Sequence, residues 1–364
     1  MKKTVLMKQF TLNILFLLLM NCTNKQNDFF TIDINSAKEQ PLLLSDIAEK
    51  IEAIELEMTD NSLVRGGSVF RVHYTGEYII VCEARAIMIF DKTGKFIRTI
   101  SSVGQGPLEY VRAISVAADI KNERIYILCF SGKILCYDFE GNIIRESPTG
   151  YFKKGFTNYI YFENDNLYYL TNISEKVNGD NINISFLYTT DDNLTISDSL
   201  EIFKIKSNSY GTVGSKTNYM CNDGENTYLY LGDASLNPLV IDTLYQLKNN
   251  RLIPFLNLKF NNKGLNIAGE KDIDILSLYK SSRYVFSQYG NNTLNKPYFF
   301  YYDIKTGKGY KCTNYFTDDI HTKENFRISP LDSNSNMFYY LHTNIDDNAK
   351  EEPNPTLYIG TLKK

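Results

Sequence analysis

The feature that most constrains this chain is a recurring hairpin signature. An apolar run ends in an aromatic residue and Asp, two residues and a Gly follow, and a second apolar run begins. Asp91-Lys92-Thr93-Gly94, preceded by Ile87-Met88-Ile89-Phe90 and followed by Phe96-Ile97, is one copy, and Asp138-Phe139-Glu140-Gly141, 47 residues on, is another. Asp303-Ile304-Lys305-Thr306-Gly307 matches with one extra residue. The chemistry is that of a tight reversal: the carboxylate accepts backbone amides of the turn, and Gly supplies a positive φ. These aspartates are therefore read as structural rather than catalytic.

Each strong copy is preceded by another hairpin: 69–74 with 78–82 across Thr75-Gly76-Glu77, and 113–118 with 124–129. Four strands joined by short turns make one antiparallel sheet, and the pattern repeats. Weaker copies lie at 184–205, around Asp191-Asp192-Asn193, and at 239–260, around Lys248-Asn249-Asn250. The last unit offers only 326–329, 337–342 and 356–362. Its fourth strand is most simply the alternating run Ile51-Glu52-Ala53-Ile54-Glu55-Leu56-Glu57, which follows one helical turn at Ser45-Asp46-Ile47. Joining both chain ends in one sheet closes a ring. The sequence thus predicts an all-β fold over residues 41–364, a six-bladed β-propeller of four-stranded antiparallel blades closed by an N-terminal strand. A composition with 27 Tyr, 22 Phe and no Trp suits many strands and turns.

Residues 1–21 read as a lipoprotein signal peptide. Lys2, Lys3 and Lys8 precede an apolar run at 10–20 that is too short to span a bilayer. Leu19-Met20-Asn21-Cys22 resembles a lipobox, with Cys22 as the lipidated first residue; Asn21 departs from the small residue usual there, and an ordinary cleaved signal gives the same export. Residues 22–40 read as lipidated cysteine and tether. The expected address is the cell envelope, outside the cytoplasm and at the outer membrane, with the bilayer as a partner. Loss of the three signal lysines takes the formal charge from −3 to −6. Without a Lys/Arg block, nucleic acid is not an expected partner. Cys82, Cys129, Cys136, Cys221 and Cys312 lack metal or disulfide-framework spacing and read as buried small hydrophobes. Taking Ser131-Gly132 as the turn sets Cys129 opposite Ile134.

The Ser-Asp-Ile entry, the junction Gly104-Gln105-Gly106-Pro107-Leu108-Glu109-Tyr110, the aromatic-Asp-x-x-Gly hairpins, Ile241-Asp242-Thr243-Leu244-Tyr245 and the pair Asp318-Asp319 together resemble the six-bladed β-propeller lipoproteins of Bacteroidetes, related in shape to NHL-repeat propellers. The resemblance covers nearly the whole mature chain and implies a fold and an address rather than a reaction. Leu108 departs from the Gly common before that Glu.

No G-x-S-x-G elbow, P-loop, H-E-x-x-H or EF-hand loop occurs. His73, His321 and His342 fall in different units, and the acidic cluster Asp346-Asp347 with Glu351-Glu352 reads as a solvated hairpin loop. In a propeller the loops entering each inner strand converge near the central channel, so they supply the candidates. The candidate binding residues at that mouth are Arg65, Glu109, Tyr110, Arg112, Asp318, Asp319 and His321. Two structural readings stand beside this one: Glu109 as a latch that binds backbone amides between blades, and Arg65 and Arg112 as members of an ion network.

Catalytic residues, a resident metal and a cofactor are not expected. The leading reading is a non-enzymatic binding or scaffold protein whose channel mouth takes a glycan, a peptide or an envelope protein. A second is a hydrolase or lyase with Ca²⁺ held by Glu109, Asp318 and Asp319, since hard oxygen donors suit that ion. A third is a structural subunit that uses its blade edges.

Overall fold

The computed structural model describes residues 30–100, 103–104, 108–148, 156–207, 220–232, 240–331, 334–343 and 353–364. It is a six-bladed β-propeller of four-stranded antiparallel blades. Blade 1 is β4 (Val69–Tyr74), β5 (Tyr78–Glu83), β6 (Ile87–Asp91) and β7 (Phe96–Ile100); blade 2 is β8 (Ala113–Asp119), β9 (Arg124–Cys129), β10 (Ile134–Asp138) and β11 (Ile143–Glu146). Blade 3 has longer strands, β12 (Phe156–Glu163), β13 (Asn166–Val177), β14 (Asp180–Thr190) and β15 (Ile196–Ser207). Blade 4 contains β16 (Met220–Asn222), β17 (Thr227–Tyr230), β18 (Thr243–Lys248) and β19 (Arg251–Lys259), and blade 5 contains β20 (Ile273–Lys280), β21 (Tyr284–Asn291), β22 (Lys296–Asp303) and β23 (Lys308–Cys312). Blade 6 is β26 (Ser329–Leu331), β27 (Asn334–His342), β28 (Thr356–Leu362) and, from the N-terminal side, β3 (Ala48–Glu55). The predicted closure is therefore present, with Ile54 opposite Leu357 and Glu52 opposite Ile359.

Inner strands read as continuous apolar runs because both faces of each blade are covered. In β9, Ile125, Ile127 and Cys129 pack toward blade 1, whereas Tyr126 and Leu128 pack toward blade 3. Five apolar clusters fill the wedges in turn, between blades 1 and 2, 2 and 3, 3 and 4, across 4, 5 and 6, and between 6 and 1. The hairpin aspartates do what their spacing implies. Asp91 Oδ1 accepts the Thr93 and Lys95 amides at 2.8 and 3.1 Å, Asp138 accepts the Asn142 amide at 2.7 Å, and Asp303 accepts that of Lys305 at 3.0 Å.

Three details differ from the sequence reading. The propeller begins at residue 30 rather than 41. β1 (Phe30–Asp33) joins the edge of blade 4 beside β19, and β2 (Lys38–Glu39) runs parallel to β23 on blade 5. Ile32 and Ile34 are buried there, and two such residues within a polar stretch carry too little pattern to announce strands. Phe326 belongs to a two-stranded ribbon, β24 (Phe316–Thr317) with β25 (Asn325–Phe326), rather than to blade 6. Finally, the 129–133 reversal contains three residues, so Ile134 pairs with Leu128 and the Cys129 amide donates to Lys133 O at 2.9 Å. All five described cysteines are buried thiols outside any disulfide.

Candidate functional site

The site is built by irregularities in the innermost strands. β4, β8, β12 and β20 each shift register near their start, between Val69 and Arg71, Ala113 and Ser115, Thr157 and Tyr159, and Ile275 and Ser277. Such a bulge sets two residues against one and reverses which face the following side chains occupy. Arg71, Ser115 and Ser277, each the first paired residue after its bulge, lie on the wall of a cavity of about 670 Å³ at the centre of the ring. Residues of blades 1, 2, 5 and 6 form that wall, on blade 5 from the second and third strands and on blade 6 from the second as well as from the innermost, and it extends to Phe316 and Phe326 of the ribbon.

Three arginines, Arg71, Arg112 and Arg327, are among the described lining residues, and no Asp, Glu or Lys is. Arg71 is only 6% exposed, with its guanidinium carbon 5.1 Å from the centre of the Tyr159 ring. Arg112 and Arg327 are exposed, and the Arg112 guanidinium lies 5.7 Å from the Phe130 ring centre. Burial pushes the Tyr279 phenol well above its ordinary value, with the charge of Arg327 acting in the opposite direction. The polar lining of blade 5 is largely bonded within the sheet: the Ser287 hydroxyl donates to Ser277 O at 3.0 Å and Ser277 Oγ accepts the Gln288 amide at 3.3 Å, while the buried Gln288 Oε1 has no hydrogen-bond partner among the described residues. Phe286, Phe299 and Phe300 stand beside them, almost wholly buried in the core shared by blades 4, 5 and 6. On blade 1 the wall includes the bare turn Gly66-Gly67-Ser68, where a Cβ at Gly67 would meet nothing within 4 Å.

The predicted mouth residues separate. Arg112 lines the cavity. Arg65 flanks the glycine turn, and its amide donates to Glu83 Oε1 at 2.6 Å. Burial raises the Glu83 carboxyl pKa, and the Arg65 amide and charge act against that rise. Tyr110 is 1% exposed inside the wedge between blades 1 and 2, which takes it out of reach of a ligand in the channel. Glu109 folds back on its own junction: a Cβ on Gly104 would stand 1.9 Å from Glu109 Oε2, the Gly104 amide donates to Tyr110 O at 3.1 Å, and Leu108 O accepts the Tyr137 hydroxyl at 3.1 Å. The middle of that junction, residues 105–107, lies outside the described residues, as do Asp346-Asp347 and Glu351-Glu352.

The stretch from Asp318 to His321 runs outward across blade 6 instead of into the cavity. Asp318 is fully buried and accepts the amides of Ile320, His321 and Thr322 at 3.0, 2.9 and 3.0 Å, and the Tyr340 hydroxyl at 2.9 Å. Burial raises its pKa, but these donors outweigh burial and the net shift is downward. Asp319 Oδ1 accepts the Ser45 amide at 3.0 Å, tying the loop to the entry turn Leu44–Ile47, and His321 packs on Tyr358 with ring centres 5.5 Å apart. Glu109, Asp318 and Asp319 are therefore not gathered around one point. Among the described residues no group of three or more His, Cys, Asp or Glu side chains is placed to hold a metal ion. His73 is buried in blade 1, and His342 pairs with Glu324 at 3.4 Å.

Arg71, Arg327, Ser277 and Gln288 were not among the sequence candidates. One signal was present: Arg71 is a charge inside the otherwise apolar Val69-Phe70-Arg71-Val72.

The fold and its cavity define a six-bladed propeller with arginines but no acidic residue among the described lining residues. The chain belongs to the family described as Domain of unknown function (DUF4934), whose pattern matches residues 29–363. A protein from Bacteroides fragilis described as "Putative exported protein" is similar in structure, with a TM-score of 0.64 and 18% identity over 92% of this chain and 100% of that one. The Pan2 WD40 domain of Neurospora crassa gives a TM-score of 0.42 at 11% identity, covering 81% of this chain and 76% of that one. The Cps50 (Swd1) β-propeller domain of Myceliophteria thermophila gives 0.41 at 9%, covering 86% and 100%. No curated protein matches the sequence.

Proposed function

We propose that this protein is a lipid-anchored envelope propeller that binds its ligand, a glycan, a peptide or a segment of an envelope protein, in the central cavity without transforming it. The observation that carries this reading is the cavity itself. Its volume falls within the roughly 300–1,000 Å³ of small-ligand sites, and its lining combines apolar residues with arginines and neutral polar residues. Rings suit the apolar faces of sugars or side chains, while guanidinium, hydroxyl and amide groups fix orientation. Export is supported by the signal-like residues 1–21, by Cys22, and by the description of the B. fragilis neighbour.

Gly67→Leu tests the cavity, because its backbone needs no left-handed φ and the added Cβ meets open space. The variant should unfold like the parent but lose retention on glycan and peptide arrays. Unchanged array binding would move the site elsewhere, for instance to the blade edges of a structural subunit. Cys22→Ala should release the protein from the membrane fraction; persistent membrane association would remove the lipid anchor from the proposal.

A further inference from the structure

Resting on that cavity as the binding site, we infer that its ligand is a peptide that brings a carboxylate to Arg112 and Arg327 and lays apolar side chains on the rim beside Arg112. The first ground is an exposed apolar surface. In the junction that leads into β8, Val103, Leu108 and Val111 are exposed, and Phe130, in the turn between β9 and β10, is 61% exposed. Backbone contacts hold these segments together. Val103 is bridged to Tyr110, the Gly104 amide donates to Tyr110 O at 3.1 Å, and the Phe130 amide donates to Arg112 O at 2.9 Å. Leu108 O accepts the Tyr137 hydroxyl at 3.1 Å, which fixes that side of the junction to blade 2. A single exposed apolar residue needs no explanation, but several on adjoining segments beside a pocket mark an interaction surface.

The second ground is charge. Arg112 and Arg327 are exposed residues of the cavity lining, and no Asp or Glu is among the described lining residues, in a chain whose net charge is negative. Neither arginine belongs to an ion pair among the described residues. A guanidinium fork matches a carboxylate with two parallel N–H donors, whereas a lysine would offer a point charge. The Arg112 guanidinium lies 5.7 Å from the Phe130 ring centre, so cation and apolar rim meet in one place. The third ground decides between classes of ligand. A saccharide is held through its hydroxyls, and the serines of blade 5 that could meet them are committed to the sheet. Stacking on a sugar also needs ring faces, yet the exposed rim is three aliphatic side chains to one ring. Branched aliphatic surface next to a guanidinium suits peptide side chains beside a carboxylate, which a chain terminus or an acidic side chain supplies equally.

The test measures retention of the full chain on an array of hexapeptides of apolar, acidic and basic composition, each printed through its N-terminus as free acid and as C-terminal amide. Retention should concentrate on peptides with a carboxylate and two or more apolar residues, and fall about tenfold when every carboxylate is removed. Loss on amidation alone assigns the carboxylate to the chain terminus; retention that survives amidation but needs an acidic residue assigns it to a side chain. Arg112→Ala/Arg327→Ala should weaken retention about tenfold, and Val111→Ser/Phe130→Ser by about the same factor. All four side chains are exposed, so both variants keep the parent's unfolding midpoint. Retention that ignores the carboxylate, or that either double variant leaves unchanged, would overturn the inference; if Gly67→Leu still abolishes it, the cavity stands as the binding site. No retention on any peptide would overturn the inference and leave the cavity to a glycan. A blank array, with Cys22→Ala chain that sediments with phosphatidylglycerol vesicles unless Val111→Ser/Phe130→Ser is added, would overturn it in favour of a lipid surface. Peptide retention that Gly67→Leu fails to reduce would overturn the cavity reading itself.

Discussion

Charge is treated in two opposite ways in this ring. At the seam between blades 4 and 5, Lys280 and Asp223 are nearly as buried as the apolar core, and each is saturated from within. The Lys280 ammonium bonds Asp223 Oδ2, donates to Ser281 O at 3.0 Å and lies 5.1 Å from the Tyr228 ring centre. Asp223 also accepts the Tyr228 hydroxyl at 2.9 Å and the Asn226 and Glu225 amides at 2.9 and 3.1 Å. Arg112 and Arg327 instead are exposed residues of the cavity lining, and no carboxylate is among the described lining residues. The first arrangement spends its hydrogen-bonding capacity on holding blades together. The second leaves a positive field available to something that is not part of the chain.

The sharpest way to break that comparison is to open the seam. Asp223→Ala strands a buried ammonium, and the expected loss is about 3–5 kcal/mol in urea unfolding. Asp223→Leu combined with Lys280→Met should recover most of it, because an apolar pair of similar volume carries no desolvation penalty. A loss below about 1 kcal/mol for Asp223→Ala would mean that water reaches the seam and that it differs little from the cavity.

The distinction between closed and open surroundings extends to shape. Gly94 and Gly141 occupy the same place in equivalent hairpins, at φ of 91° and 85°. A Cβ on Gly141 meets nothing within 4 Å, whereas one on Gly94 would stand 2.0 Å from Glu55 O, where β3 closes the ring. Alanine at either site incurs about 1–2 kcal/mol for the left-handed backbone. At Gly94 the collision adds about 1–3 kcal/mol, because backbone rather than a flexible side chain must move. Thermal unfolding of the two variants side by side measures the closure seam. Equal losses would show that β3 yields freely.

Asp318 sharpens the comparison through pH. Its pKa in the fold is lowered, so its contribution is fully present above the unfolded value of about 3.9 and is lost as pH falls below that toward the folded value. Asp318→Asn cannot accept all the amides the carboxylate holds, and should lose about 1–3 kcal/mol at pH 7 while flattening the acid limb of the stability curve below pH 4. An unchanged acid limb would shift that dependence to other lowered carboxylates such as Asp303, which is paired with Arg283 at 2.7 Å.

The same division explains how much was legible in the sequence. Hairpins whose turns carry Asp and Gly announce themselves, because turn chemistry is local and the strands beside it are apolar on both faces. Closure by 51–57 was also legible, since the last unit lacked a strand and an alternating run stood unclaimed. The site was harder to read, because it depends on bulges, and a bulge reverses the parity on which inward and outward assignments rest. Arg71 sits one residue beyond such a break and Ser277 beyond the equivalent one. Tyr110 and Asp318 had the right residue types in the right loops, but a loop can turn its polar side chains onto its own amides, and spacing alone does not record which way it turns. Arg112 was found because it lies in the loop that enters an inner strand, ahead of any bulge.

The smallest expected effect on stability bears most directly on function. Arg112→Ala and Arg327→Ala should each change unfolding free energy by no more than about 0.5 kcal/mol, since both side chains are exposed and no ion pair joins either to a described carboxylate. If the cavity arginines are held for a ligand, their removal leaves the fold indifferent while the binding of an anionic probe weakens and its salt dependence shrinks. A loss of 2 kcal/mol or more, of the order expected when a buried partner is left unpaired, would instead place these arginines with Lys280 among the charges that hold the blades together. Equilibrium unfolding of the two single variants and the double variant separates the outcomes, because independent exposed sites add and members of one network do not.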